Sequence, residues 1–288
     1  MEAIRPLIPF LITISLAGLV LAVGLNAGRG DLLYVLRRPV HLLKAILAVI
    51  VIPPVAAAIL IAAMTPLEPV VKAGIMLMAI SPVPPLVPGK ELAVGGRKEY
   101  AYGLYAAMAL LTIVSVPAVL ALTTRLFGRE DFISVGSIAR TVGLGVLLPL
   151  AIGIAIREIS PVFARRVWRL VYQISIVLVL LAFTPVVIQA WPAIVELIGN
   201  GTVLAMAAVT IIAVVGGHLL GGPDRRDRAT LAMASAVRHP GIAMSIAGAS
   251  FHDPRVSAAV LLFMVVGLLA AAPYSAWIKR SLHRTAHT

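Results

Sequence analysis

Residues 81–91 read Ser-Pro-Val-Pro-Pro-Leu-Val-Pro-Gly-Lys-Glu and lie inside an apolar segment long enough to cross a bilayer. Four prolines within seven residues (Pro82, Pro84, Pro85, Pro88) cannot continue a helix. Each lacks a backbone N–H, and each ring clashes with the preceding turn. In hydrocarbon such a break is tolerated only where the freed backbone is buried in protein or lines a polar cavity. Lys90 and Glu91 follow directly. The stretch therefore predicts a site at membrane depth, and it points to a transporter.

The rest of the chain supports a membrane setting. Of 288 residues, 60% are hydrophobic and 12% charged, against about 25% charged in a soluble domain. The mean hydropathy is +1.03. The expectation is an all-α integral membrane protein with the lipid bilayer as its surroundings. The net charge of +12 does not imply a nucleic-acid partner, because the basic residues are dispersed among short loops between apolar spans. No cysteine is present, so disulfides and thiolate chemistry are excluded. The first residues, Met-Glu-Ala-Ile-Arg-Pro, lack a basic n-region, so the first span reads as a retained helix rather than a signal peptide.

With about 20 apolar residues per crossing, nine transmembrane helices are predicted: 8–27, 40–64, 69–94, 99–124, 134–157, 167–190, 193–221, 228–250 and 256–278. Short loops leave no room for an appended soluble domain, so residues 1–288 read as one transporter domain. Fifteen of the 24 Lys and Arg residues fall in the loops after the first, third, fifth and seventh spans and in the C-terminal tail. Five fall on the opposite side, and Lys44, Lys90, Arg140 and Arg238 fall within spans. The positive-inside rule then places the N-terminus outside and the C-terminus in the cytoplasm of the cell (inner) membrane. Tyr172, Trp191, Tyr274 and Trp277 suit interfacial anchoring.

The eighth span is also interrupted, by Arg238-His239-Pro240-Gly241. It runs in the opposite direction to the third span. Two broken helices of opposite direction, one per half, are the mark of an inverted-repeat secondary transporter. The repeats are 4+5: about 8–124 and about 134–278, the first lacking an opening helix. A lone Pro-Gly kink in a membrane helix usually means packing. Two breaks carrying Lys, Glu, Arg and His at matching places are harder to dismiss, because a charge at the bilayer centre costs roughly 2.5–3.5 kcal/mol.

These residues resemble the bile acid:sodium symporter family, within the wider group that includes arsenite and auxin-efflux-type carriers. The likeness rests on Gly24-Leu25-Asn26 through Arg38-Pro39, on Pro54, on Pro82 and Gly96 around the first break, and on Pro117. It continues through Arg225-Arg226-Asp227-Arg228 to Gly241-Ile242-Ala243, and to Asp253-Pro254. The resemblance implies two subdomains: a core in which the third and eighth spans cross at their breaks, and a panel of the first, fifth and sixth. It also implies a substrate crevice between them and alternating access by movement of core against panel.

The departures from the family are equally informative. Where the resemblance implies sodium ligands, this chain has Val49, Val87, Pro88, Ala101, Tyr105, Ala234 and the pair Arg238-His239. Sodium needs several oxygen ligands, and Val, Ala and Pro side chains offer none. Lys90 and Arg238 are expected to supply fixed positive charge in place of the ions, favouring a small organic anion of carboxylate type. Arg238 can grip a carboxylate bidentately and Lys90 acts as a point charge, whereas Glu91 either joins the site or neutralises one of these cations. Pro88, Tyr105 and Asn26 complete the predicted substrate-binding set, with Asn26 alternatively capping its helix. His239, whose unperturbed pKa lies near neutrality, and Glu91 are the candidates for coupling to protons, with a plain structural His239 equally open. Sodium is not expected as a partner, and no cofactor, metal or catalytic residue is predicted.

Lys44 is expected to snorkel, Arg140 to snorkel or line the crevice, and His218 to lie at the interface. A sodium-coupled symporter using backbone ligands is one alternative. A membrane-embedded enzyme is the rival from another class; its only deep acid–base candidates are Glu91 and His239, with Ser235 one turn away. A channel would need a continuous polar lining that these spans lack.

Overall fold

In the computed structural model, residues 7–127, 140 and 143–285 are described, and every regular element among them is helical. In chain order these are α1 (Leu7–Asn26), α2 (Arg29–Leu32), α3 (Pro39–Ala63), α4 (Pro69–Ile80), α5 (Val87–Ala93) and α6 (Lys98–Phe127). After a π-helical turn at Gly143–Leu147 come α7 (Leu148–Ile159), α8 (Pro161–Glu196), α9 (Thr202–Leu220), α10 (Arg225–Ala236), α11 (Pro240–Ser250) and α12 (Arg255–Thr285). Among the described residues five helices are long and apolar enough to cross a membrane: α3, the first 21 residues of α6, α8, α9 and most of α12. The outer surface of the bundle is correspondingly apolar; Ile59, Val114, Leu181 and Leu269 are all more than 60% exposed, as side chains that meet lipid should be.

The predicted third and eighth spans are each divided as the prolines demand. The third becomes α4 and α5, separated at residues 81–86, and the eighth becomes α10 and α11, separated at residues 237–239. The halves have 12, 7, 12 and 11 residues, each too short to cross alone. Pro88 and Pro240 do not lie in the gaps. Both sit in the first turn of the resumed helix, where the missing N–H has no intrahelical partner to lose. The opening of the predicted span 134–157 lies outside the described residues, and its Arg140 is exposed.

One boundary differs from expectation. Spans predicted at 167–190 and 193–221 are instead a 36-residue α8 that contains both Pro185 and Pro192, followed by α9 from Thr202. The real turn is at Asn200 (φ 45°) and Gly201 (φ 81°), where left-handed backbone ends a helix more decisively than a proline kinks it.

Packing gathers the helices into two groups, joined where α8 lies against α12. α1 lies along α8 and α7, and α7 also packs on α8. The α1–α7 approach is backbone to backbone: a Cβ at Gly24 would meet Leu150 O at 2.6 Å and Gly153 Cα at 2.9 Å. Small residues allow this in membrane helices, where association depends on close packing. The other group gathers α3, α4, α9 and α12, with α10 against α9 and α11 against α4 and α12.

Polar contacts close both ends. At one end Arg255 bridges Asp253 (2.9 Å) and Glu68 (3.4 Å), while Asp253 accepts from the Arg255 backbone N–H at 2.9 Å to cap α12. Those Arg255 hydrogen bonds hold the Asp253 carboxyl below the usual carboxylate range. At the other end Arg97, in the turn after α5, pairs with Asp224 and lies 2.9 Å from Asp227. The Arg97 backbone N–H also donates to Thr230 Oγ1 at 3.2 Å, tying that turn to α10.

Candidate functional site: a guanidinium at the crossing of two broken helices

Three backbone carbonyls are stranded by local sequence. Val49 lies in a π-helical turn of α3 at Ile46–Val51, and the residues that would donate to its carbonyl four and five positions on are Pro53 and Pro54. Neither has an N–H. Ser81 ends α4, and the residues three and four ahead are Pro84 and Pro85. Ser235 is in the last turn of α10, just before the second break. A buried carbonyl without a donor costs about 1–3 kcal/mol, so each needs a partner from elsewhere.

Arg238 supplies all three. Its Nη1 donates to Ser81 O at 3.2 Å, and its Nη2 donates to Val49 O at 2.8 Å and Ser235 O at 2.9 Å. The residue is only 6% exposed, and no carboxylate pairs with it among the described residues. Its counter-charge is instead the negative end of two helix dipoles, since α4 and α10 both finish here. The predicted grip on a substrate carboxylate therefore does not describe this arrangement, in which the fork is occupied by main chain. Two small cavities of about 20 Å³ flank the guanidinium, each with room for about one water. One is lined by Ser81, Thr112 and Ser115, the other by Val237, Phe263 and Met264.

The crossing is also held directly. The His239 backbone N–H donates to Pro82 O at 3.0 Å and Ser81 Oγ at 3.1 Å. His239 Nδ1 accepts from the Ile242 backbone N–H at 3.3 Å, so the imidazole caps α11. With Nδ1 accepting, the neutral ring carries its proton on Nε2. His239 is thus a structural cap here, one of the two readings open from sequence.

The remaining predicted residues are placed on α5, α6 and α1. Lys90 is half-buried and Glu91 is 1% exposed. Among the described residues no ion pair joins them to each other or to Arg238, and Glu91 Oε2 has no hydrogen-bond partner. The Tyr105 hydroxyl is likewise buried and unpartnered. Asn26 does not cap α1; its Nδ2 donates to the Tyr102 hydroxyl at 2.5 Å, linking α1 to α6. Beside it, the Tyr172 hydroxyl of α8 faces Gly89 of α5, 3.0 Å from where a Cβ would stand. So Tyr172 is not simply an interfacial anchor. His218 hydrogen-bonds Tyr274 at 2.9 Å, lies edge-on to its ring and packs at a tilt against Trp277.

Sequence reading gave no bonding role to Ser81, the Val49 and Ser235 carbonyls or Tyr102, and took Tyr172 only as an interfacial anchor. The first three had a signal: a proline three to five residues after a carbonyl in an apolar helix, or a helix about to break. The tyrosines had none. The Asn26–Tyr102 link yields a direct test. Asn26→Ala and Tyr102→Phe, made singly and together, should show a coupling free energy of roughly 0.5–1.5 kcal/mol in unfolding measurements; strictly additive losses would mean that the bond adds nothing.

A family model described as the Sodium Bile acid symporter family matches residues 13–197. The match takes in the first broken helix and the Tyr172 contact, and it ends before α9. No curated protein matches the chain.

Proposed function

Because the chain belongs to the sodium bile acid symporter family, we propose that it is a secondary transporter that moves a small organic anion of carboxylate type by alternating access, with Arg238 standing where a coupling sodium ion would otherwise bind. The observation that carries this reading is the triple donation of one buried guanidinium to the carbonyls of Val49, Ser81 and Ser235. In broken-helix transporters, unwound carbonyls and half-helix C-termini are what coordinate a coupling cation. Here the carbonyls are in place but committed to a cation that is covalently attached. Side-chain oxygens to complete a sodium shell are missing at Val49, Val87, Pro88, Ala101 and Ala234.

In this reading the nine spans form two antiparallel repeats. α1, α7 and α8 are the panel, and α4–α5 and α10–α11 are the crossing pair of the core. The basic end that carries Arg97 faces the cytoplasm. Asn26–Tyr102 and Tyr172–Gly89 then join panel to core on the cytoplasmic side, and they are contacts that an inward opening must break. Lys90, half-buried on α5 beside Gly89, is the cation left to meet an anionic substrate in that crevice.

The test is uptake of radiolabelled cholate and pyruvate into proteoliposomes. A sodium gradient replaced by a potassium gradient, at fixed pH and membrane potential, should leave the uptake rate unchanged. Uptake that climbs steeply with the sodium gradient would overturn the assignment of Arg238.

A further inference from the structure

Glu91 is the most deeply buried carboxyl group among the described residues, at 1% exposure, and its Oε2 has no hydrogen-bond partner. It follows the first break on α5, two positions after the glycine that faces Tyr172. Two residues along a helix is about 200° of rotation, so Glu91 points away from α8 and into the α6–α10 side of the bundle. Every positive group in reach is engaged elsewhere or turned away. Arg97 is committed to Asp224 and Asp227, Lys98 lies 3.6 Å from Asp31, and Arg238 is held by three carbonyls. Lys90, its chain neighbour, makes no ion pair with it.

The groups that face Glu91 are few and can be named element by element. From α6, Tyr100 and Tyr102 lie within its electrostatic reach, and Tyr100 is equally within reach of Asp227. From α10, the Thr230 hydroxyl sits against Gly96, beside the Glu91 backbone carbonyl. From α8 the nearest titratable group is Tyr172, on the far side of α5. None of these is a fixed cation. A buried carboxylate with no cation beside it and an unpaired oxygen is expensive, and ionisable residues in membrane helices usually mark proton or ion pathways.

We propose that Glu91 is the group that binds and releases a coupling proton, so that an organic monoanion crosses together with one proton. This rests on the transport reading above and adds its coupling ion. The step balances simply: the carboxylate takes one proton from the side to which the crevice is open, crosses as a neutral acid with the substrate, and returns that proton on the other side. Arg238 keeps its charge throughout, because its role at the crossing is structural. The proton performs the part that a released sodium ion cannot perform once the cation is covalently fixed.

Two measurements on the whole protein in proteoliposomes test this. The first needs no substrate. Infrared difference spectra between acid and alkaline pH, with isotope-labelled glutamate to identify the band, should contain a protonated-carboxyl band that the isosteric Glu91→Gln variant lacks. The second compares cholate accumulation driven by an inside-alkaline pH gradient with cholate exchange at equal pH. Glu91→Gln should retain exchange and lose the gradient-driven accumulation, returning it to the level of empty vesicles. Absence of the band from the wild type would overturn the proposal, as would undiminished gradient-driven accumulation in Glu91→Gln. A titrating Glu91 band in a protein that moves neither cholate nor pyruvate would support the proton site and overturn the substrate reading instead.

Discussion

Replacing Arg238 with alanine is expected to lower the stability of the protein by about 3–5 kcal/mol, the range for removing the charged partner from a buried network. Three carbonyls, on Val49, Ser81 and Ser235, would lose their only side-chain donor. Val49 and Ser81 cannot be rescued locally, because Pro53, Pro54, Pro84 and Pro85 have no N–H to offer, and the N–H four residues after Ser235, that of His239, is spent on Pro82 O and Ser81 Oγ. The space vacated would join the two cavities of about 20 Å³ beside it and leave oxygens facing inward. If the guanidinium stands for a cation, sodium at constant ionic strength should raise the unfolding midpoint of Arg238→Ala and leave the wild type unmoved. Arg238→Lys should recover only part of the loss, since an ammonium cannot reproduce a planar fork spanning three acceptors. An unchanged midpoint in Arg238→Ala would remove the guanidinium from its place at the crossing. A lowered midpoint indifferent to sodium would remove the idea that the cage suits a cation.

The second large effect is expected from Gly24→Val. A side chain at Gly24 meets Leu150 O at 2.6 Å, Gly153 Cα at 2.9 Å and Ile154 N at 3.0 Å. All three are backbone atoms, so no rotamer change can make room, and α1 must move away from α7. The expected loss is about 2–3 kcal/mol, at the upper part of the range for overpacking, read as a lowered unfolding midpoint in detergent or bilayer. Gly248→Ala is the control. Nothing lies within 4 Å of a Cβ there, and the helix gains up to about 1 kcal/mol from the better helix former. Equal midpoints for the two variants would mean that the Gly24–Gly153 contact is looser than its geometry implies.

Much of the fold could be read from the chain because membrane helices are specified locally. Apolar length announces a span, and α3, α6 and α12 begin within two residues of the predicted starts. The two interruptions were equally legible, since four prolines in one span and His-Pro-Gly in the other leave the backbone no helical option. The α8–α9 boundary was misread for a related reason. The expected spans stop at 190 and resume at 193, yet a proline within a long apolar helix can be accommodated by local adjustment, and the helix continues to Glu196.

The crossing of the two breaks was legible in the chain, but the contacts its residues make were not. Arg238 stood out as a charge at membrane depth, but its predicted substrate was a carboxylate and its actual partners are main-chain oxygens. Asn26 was expected to serve substrate or cap, and it instead bonds Tyr102, 76 residues away. Lys90 and Glu91 were grouped because they are adjacent, yet neighbours on a helix point about 100° apart, and they lie in different surroundings.

The primary structure settles which backbone groups go unsatisfied: Pro53, Pro54, Pro84 and Pro85 withhold hydrogen bonds wherever the chain folds, because the deficit is covalent. Which group meets that deficit is not a local property. Arg238 reaches Val49 across 189 positions and Ser81 across 157, and only the packing of α10 against α3 and of one break against the other brings them together. The same holds for Glu91. Its charge is written in the chain, but its lack of a partner comes from the helices that surround it, whose cations are spent elsewhere.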